Sequence, residues 1–242
     1  MDLGIDSAAD NASLALLRGD EVIAERAWHV ETTMSKELLA HLDALLVEAG
    51  VTRDHIASIA VTTGPGQYGA VRTGLATAQG LALAFDVPLA GIIRFEADAA
   101  LHLDALPAGA TVVAVHDAGR SGIAWGAYTL DAPGTAPRPT VAPCLTTLEE
   151  VARDAPAGAT WCGEVTDARR EALAAVGRGL GDAEARSGDT EADTPPGGRA
   201  AALVRIARAR QAYGDPALVD AFYLRPPSIT RARPRETGPR EA

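Results

Sequence analysis

The sequence predicts an α/β fold: mixed sheets with helices on their faces, arranged as two similar halves. Three observations carry this reading. Short apolar strands and a leucine-rich helical stretch alternate over residues 1–92 in the order β-β-β-α-β-α-β, which suits a mixed sheet flanked by helices. Apolar periodicity switches from strand-like to helical at Ser35 and back again at Ile56. The third is an internal echo, in which an apolar strand ending in Asp, a small-residue turn and a second strand occur at Asp6 and again at Asp117.

Leu3-Gly4-Ile5 is a short strand closed by Asp6, and Ser13 to Leu17 and Val22 to Trp28 flank Arg18-Gly19-Asp20. Gly19 supplies the positive φ that a tight hairpin requires. From Ser35 to Ala49, Leu38, Leu39, Leu42, Leu45 and Leu46 recur at helical spacing, with Thr33 or Ser35 to cap the start and Gly50 to stop it. Ile56 to Thr63 reads as a strand, Arg72 to Phe85 as a second helix and Pro88 to Ile92 as another strand. Pro107 to Gly109 is a joint, after which Val112 to Val115 and Ile123 to Tyr128 form a further hairpin. Gly177 to Gly198, rich in Gly, Asp and Pro, reads as a mobile loop, and Arg199 to Tyr213 resumes a helical pattern. From Arg225 onward prolines and arginines dominate, and 226–242 reads as a disordered tail.

Composition excludes several classes. The chain has 242 residues, 47% hydrophobic and 22% charged, which is ordinary globular usage. A net charge of −10 argues against a surface built to hold nucleic acid, since phosphate contacts need clustered cations. Cys144 and Cys162 are too few for a disulfide framework or a cysteine zinc site. The uncharged stretch Thr73 to Phe85 is 13 residues long, short of the roughly 20 that a membrane span needs. No basic and apolar leader precedes Asp2 and Asp6, so a soluble cytoplasmic protein is expected.

Chemical motifs are sparse. Gly64-Pro65-Gly66-Gln67-Tyr68-Gly69 formally satisfies G-x-G-x-x-G between a strand and a helix. It follows antiparallel strands, and Pro65 removes a backbone donor, so a structural strand-to-helix turn is preferred over a dinucleotide site. Asp6-Ser7-Ala8-Ala9 stands where a phosphate loop would need glycine, and Asp6 is read first as an acid bonding its own turn. His29, His41, His55, His102 and His116 contain no i, i+3 or i, i+4 pair, so neither metal nor cofactor is expected. The helices are richer. Ala70, Gly74, Ala78 and Ala82 form a small-residue stripe on the second helix beside Leu75, Gln79 and Leu83, while the first helix offers leucine ridges. Spacing alone leaves open whether these faces cover the chain's own sheet or a partner, and slightly favours the sheet.

Leu3-Gly4-Ile5-Asp6-Ser7-Ala8, Gly64-Pro65-Gly66, Val71-Arg72-Thr73-Gly74, Ala78-Gln79-Gly80-Leu81-Ala82 and Tyr223-Leu224-Arg225 resemble the TsaB (YeaZ) family. The pattern differs from the family's common one at Gln67-Tyr68-Gly69-Ala70 and at Met34. The resemblance implies a duplicated actin-like, ribonuclease-H-type fold. Residues 1–106 would then form the first domain and 107–225 a divergent second, with 199–213 able to pack back on the first. It further implies a non-catalytic subunit that binds TsaD, with TsaE, in making N6-threonylcarbamoyladenosine at position 37 of tRNAs reading ANN codons. The first two helices would carry the TsaD contact and a homodimer through the same surface, with tRNA engaged only within the complex. The residues expected there are Leu38, Leu39, Leu42, Leu45, Leu46, Val71, Gly74, Leu75, Ala78, Gln79 and Ala82. Asp6, Gly64, Pro65, Gly66 and Arg72 form the family-motif loop. An actin-like phosphotransferase or ATPase is the alternative, suggested by the duplicated Asp-bearing strands and opposed by Ala8 and Ala9; no catalytic set supports a peptidase.

Overall fold

The computed structural model describes residues 1–103, 105–132, 134–178 and 198–225. Most of the expected loop after Gly177 and the whole tail from residue 226 lie outside the described residues. Five strands, β1 (Asp2–Asp6), β2 (Asn11–Arg18), β3 (Glu21–His29), β4 (Ser58–Thr62) and β5 (Leu89–Ile92), form a sheet in the order β3-β2-β1-β4-β5. A second sheet has the order β8-β7-β6-β9, from β6 (Val112–Asp117), β7 (Ile123–Thr129), β8 (Arg138–Thr146) and β9 (Thr160–Glu164). In both, the first strand pairs antiparallel with its hairpin partner on one side and parallel with a later strand on the other. The echo around Asp6 and Asp117 is therefore a real duplication of sheet topology. Gly19 turns the first hairpin at φ +64°.

Strand alternation assigns each face its cover. Leu3, Ile5, Leu14, Leu16, Ile59 and Val61 meet α1 (Met34–Glu48) and α2 (Tyr68–Phe85) on one face of the first sheet. The other face carries Ala15, Leu17, Ala60, Ala90 and Ile92 against α6 (Arg199–Ala209), whose Ala200 to Val204, Ile206 and Ala207 are buried. Gly4 is required there, because a Cβ at that position would collide with the Ala200 carbonyl. Between the sheets runs α3 (Arg94–Leu103), whose Phe95, Ala99 and Leu103 pack on Val112, Ala114 and Tyr128 of the second sheet. The far face of that sheet is covered by α4 (Leu148–Asp154) and α5 (Asp167–Ala175), through Val151 and Leu173.

Several elements depart from the sequence reading, and β8, α4, β9 and α5 are absent from it. Helix α2 begins at Tyr68, a turn before the expected Arg72, and α6 ends at Ala209, where Gln211 takes a left-handed φ of 52°. Helix α3 is absent from the sequence reading because it buries Arg94, Glu96 and Asp98 along with its apolar residues. Buried charges erase the apolar periodicity by which a helix is recognised.

Candidate functional site

Two regions could carry function: the cleft between the sheets and the outward face of α1 and α2. The cleft is built on Asp6 at the end of β1. Its Oδ1 accepts hydrogen bonds from Thr62 Oγ1 at 2.5 Å and from the Ala8 amide at 3.2 Å. Asp6 does bond its own turn, and it also faces Arg199 Nη1 at 3.2 Å. Arg199, the first residue of α6, extends Nε to 3.3 Å from Asp98 Oδ1 and Nη2 to 2.8 Å from Glu164 Oε1. Arg94 is fully buried and lies 3.3 Å from Asp98 Oδ2, 2.9 Å from Glu164 Oε2 and 3.2 Å from His116 Nδ1. Burial, with Arg94 adding to it, pushes the His116 imidazole down to about 4, so it is neutral at pH 7. Burial opposes charge on Glu164, but Arg94 and Arg199 outweigh it and hold the carboxyl well below its usual range.

The second half repeats the arrangement. Asp117 Oδ1 accepts from the Gly119 amide and lies 2.7 Å from Arg169 Nη1, and Arg169 also donates to the Gly119 and Gly122 carbonyls. Each strand-end aspartate is thus neutralised by an arginine from the first turn of a helix, α6 for Asp6 and α5 for Asp117. None of these arginines stood out in the sequence, because their partners are remote in the chain; only Arg94 and Asp98 share an i, i+4 spacing.

The motif loop closes the first turn. A Cβ on Gly66 would collide with the Ala8 carbonyl, and the Gln67 amide donates to that same oxygen at 3.0 Å. Gly64 accepts from the Arg94 amide at 2.8 Å, and the Gly64–Pro65 peptide is cis. Ser7, Ala8 and Ala9 are consequently buried beneath the loop and α2. Loop 64–67 forms a strand-to-helix turn packed on Ala8. Among the described residues no group of three His, Cys, Asp or Glu could hold a metal ion.

The helical face requires a correction. Leu38, Leu42 and Leu45 of α1, and Val71, Gly74, Leu75, Ala78 and Ala82 of α2, are buried in the chain's own core. The stripe Ala70-Gly74-Ala78-Ala82 faces inward because a Cβ on Gly74 would collide with Ser7 Oγ. Gln79 donates to the Pro216 and Val219 carbonyls at 3.0 and 2.9 Å, which ties it to the C-terminal segment. Leu46 is half-buried, and Leu39 is 50% exposed. The outward face of α2 instead carries Gly69, Arg72, Ala76, Gly80, Leu83 and Ala84. Nothing lies within 4 Å of a Cβ built on Gly69 or Gly80. The signal available in the sequence was that the helix has a second small-residue stripe, rotated to the other side.

The geometry can be set beside known proteins. A family profile described as TsaD: tRNA N6-adenosine threonylcarbamoyltransferase matches residues 29–161, more than half of the chain. The chain belongs to this TsaD family. TsaB (YeaZ) proteins share the family, and the chain is similar to the tRNA threonylcarbamoyladenosine biosynthesis protein TsaB of Bacillus subtilis. Identity to that relative is 31% over 128 residues, covering 52% of this chain and 54% of the relative. The tRNA N6-adenosine threonylcarbamoyltransferase of Burkholderia vietnamiensis is 34% identical over 110 residues, 39% of this chain and 32% of that protein. The chain therefore spans about half the length of the TsaB relative and about a third of the transferase. A crystal structure from Pseudomonas aeruginosa, an uncharacterized protein with similarity to peptidase YEAZ, superposes with a TM-score of 0.71 at 24% identity, covering 93% of this chain and 99% of that one. YeaZ from the same organism gives 0.70 at 23% identity, covering 92% and 99%. These structures share the chain's fold of two mixed sheets with flanking helices.

Proposed function

We propose that the chain is a partner subunit in the synthesis of N6-threonylcarbamoyladenosine in tRNA, docking TsaD through the outward faces of α1 and α2. One observation carries the reading. Gly80 sits inside an 18-residue helix and faces open space, with no neighbour of its own chain near enough to exclude a Cβ. Glycine in a helix interior costs about 1 kcal/mol relative to alanine, so a purely internal role would favour alanine. A second helix approaching closely over Gly80, Ala76 and Gly69 supplies the missing reason. Leu39 and Val47 of α1 and Leu83 of α2, between 50% and 81% exposed, supply apolar area around that close contact.

In this reading the same face forms a homodimer when TsaD is absent, TsaE joins the assembly, and tRNA is held only within it. No helix among the described residues is long and apolar enough to cross a membrane, and a tRNA-modifying role places the chain in the cytoplasm. The chain contributes no catalytic group and no cofactor of its own. The alternative, an actin-like ATPase, is favoured by the duplicated aspartates but opposed by Arg199 and Arg169, which occupy them. The test is co-purification with TsaD and TsaE of the same organism, then tRNA modification with and without this chain. Loss of modification when it is omitted supports the reading. Modification by this chain alone with threonylcarbamoyl-adenylate, or ATP turnover by it, overturns it.

A further inference from the structure

The segment from Gly214 to Arg225 runs as a strap beside α2. It starts on the edge of the first sheet, where Gly214 and Leu89 exchange backbone hydrogen bonds at 3.0 Å. It is held to α2 by the Gln79 side chain and to the end of β4 by the Phe222 amide, which donates to the Thr63 carbonyl at 2.8 Å. Leu224 packs into the core of the second sheet, and Arg225 Nη1 donates to Ser121 Oγ at 3.2 Å. The strap is firmly seated, yet it leaves large apolar groups in solvent. Of the seven exposed large hydrophobic residues described, six lie on α1, α2 and the strap: Leu39, Val47, Tyr68, Leu83, Leu218 and Tyr223.

Two clusters join α2 to the strap. At the start of the helix, the Tyr68 and Tyr223 rings lie 5.5 Å apart, and Arg72 sits 4.6 Å over the Tyr68 ring while its Nε donates to the Tyr223 hydroxyl at 2.9 Å. The terminal nitrogens of Arg72 make no hydrogen bond with the described residues. At the other end Leu83 and Leu218 stand 70% and 82% exposed. A shallow depression of about 290 Å³ lies there, lined by Leu83, Asp86, Val87, Asp215 and Pro216. The surface therefore presents the Arg72 guanidinium and two aromatic rings at one end of α2, with the Asp220 carboxylate of the strap near enough to act on Arg72, and Asp86 and Asp215 at the other, where the helix carbonyls add negative potential.

We propose that the strap is the third element of the docking surface, and that the Tyr68–Arg72–Tyr223 cluster is its anchor. The occupant is the helical face of the TsaD partner, with a carboxylate opposite Arg72 and a basic side chain opposite Asp86 and Asp215. The inference rests on the docking reading above. Tyrosine and arginine held rigid by each other lose little conformational freedom on binding, which is what an anchor needs. Charges of opposite sign at the two ends fix the direction in which a partner helix lies.

The test is a titration of the full chain against TsaD of the same organism. Leu218→Asp, at a solvent-exposed position that leaves folding intact, should weaken binding at least tenfold, and Tyr223→Ala likewise. Tyr223→Phe keeps the ring but not the hydrogen bond and should recover most of the affinity. Arg72→Glu should weaken binding more than Arg72→Leu. Gly80→Trp is the control for the docking reading itself. If Gly80→Trp abolishes binding while Leu218→Asp and Tyr223→Ala leave it unchanged, the strap lies outside the interface and this inference falls alone. If Gly80→Trp binds with unchanged affinity, the docking reading fails and takes the strap with it.

Discussion

The cleft between the sheets and the outward face of α2 use similar residue types to opposite ends. In the cleft, every group that looks reactive has an internal partner: Asp6 has Arg199 and Thr62, Asp117 has Arg169, and Glu164 has both Arg94 and Arg199. On the outward face, the bland residues lack an internal reason, Gly69 and Gly80 above all. The contrast is sharpest within one helix. Gly74 is glycine because Ser7 leaves no room, whereas Gly80 is glycine with empty space before it. Charge is spent on holding the halves together, and smallness is what the surface offers outward.

The comparison can be broken most forcefully at Arg199. Replacing it by methionine strands Asp6 and Asp98, each 1% exposed, without their shared guanidinium. Removing one partner of a buried ion cluster typically costs about 3–5 kcal/mol, so urea unfolding of Arg199→Met should show a loss of that order. A smaller or absent loss would mean that the cleft is not a structural lock.

Acid should expose the same lock. The His116 imidazole titrates at about 4 in the folded chain against an ordinary 6.5, so the unfolded chain binds more protons between those values. Stability contributed by neutral His116 is complete above pH 6.5 and falls as pH drops toward 4, by about 3 kcal/mol in total. The depressed Glu164 carboxyl adds stability that is present above its ordinary 4.5 and is lost as pH falls below it. Chemical denaturation across pH 7 to 4 should show this slope, and His116→Gln should flatten its upper part.

Glycine substitutions sharpen the contrast within α2. Gly74→Ala forces a methyl group against buried Ser7 and should destabilise by about 1–3 kcal/mol. Gly80→Ala should do the reverse, raising the stability of the free chain by up to about 1 kcal/mol while weakening its hold on TsaD. Thermal melts of the two variants side by side check both signs at once.

Much of the first half was legible because its elements are simple. The hairpin around Gly19, the leucine-rich α1 and the strand before Gly64 obey their periods without interference. The duplication was visible only at Asp6 and Asp117, since β8 carries Pro139 and Pro143 and α3 hides its pattern behind Arg94, Glu96 and Asp98. The orientation of α2 was not legible. Small residues recur on two sides of it, and spacing cannot say which side faces Ser7 and which faces solvent. The arginine partners of the cleft were hidden for a different reason. Arg199 and Asp6 lie at opposite ends of the described chain, and no local pattern joins them.

Amide hydrogen exchange on the full chain, alone and saturated with TsaD of the same organism, tests the central claim most directly. The account predicts new protection in α1, across residues 68–84 of α2 and along the strap, with exchange unchanged in the Gly64–Gln67 loop and the Asp117–Gly122 turn. Protection confined to that loop and turn, with α1 and α2 exchanging as in the free chain, would contradict it.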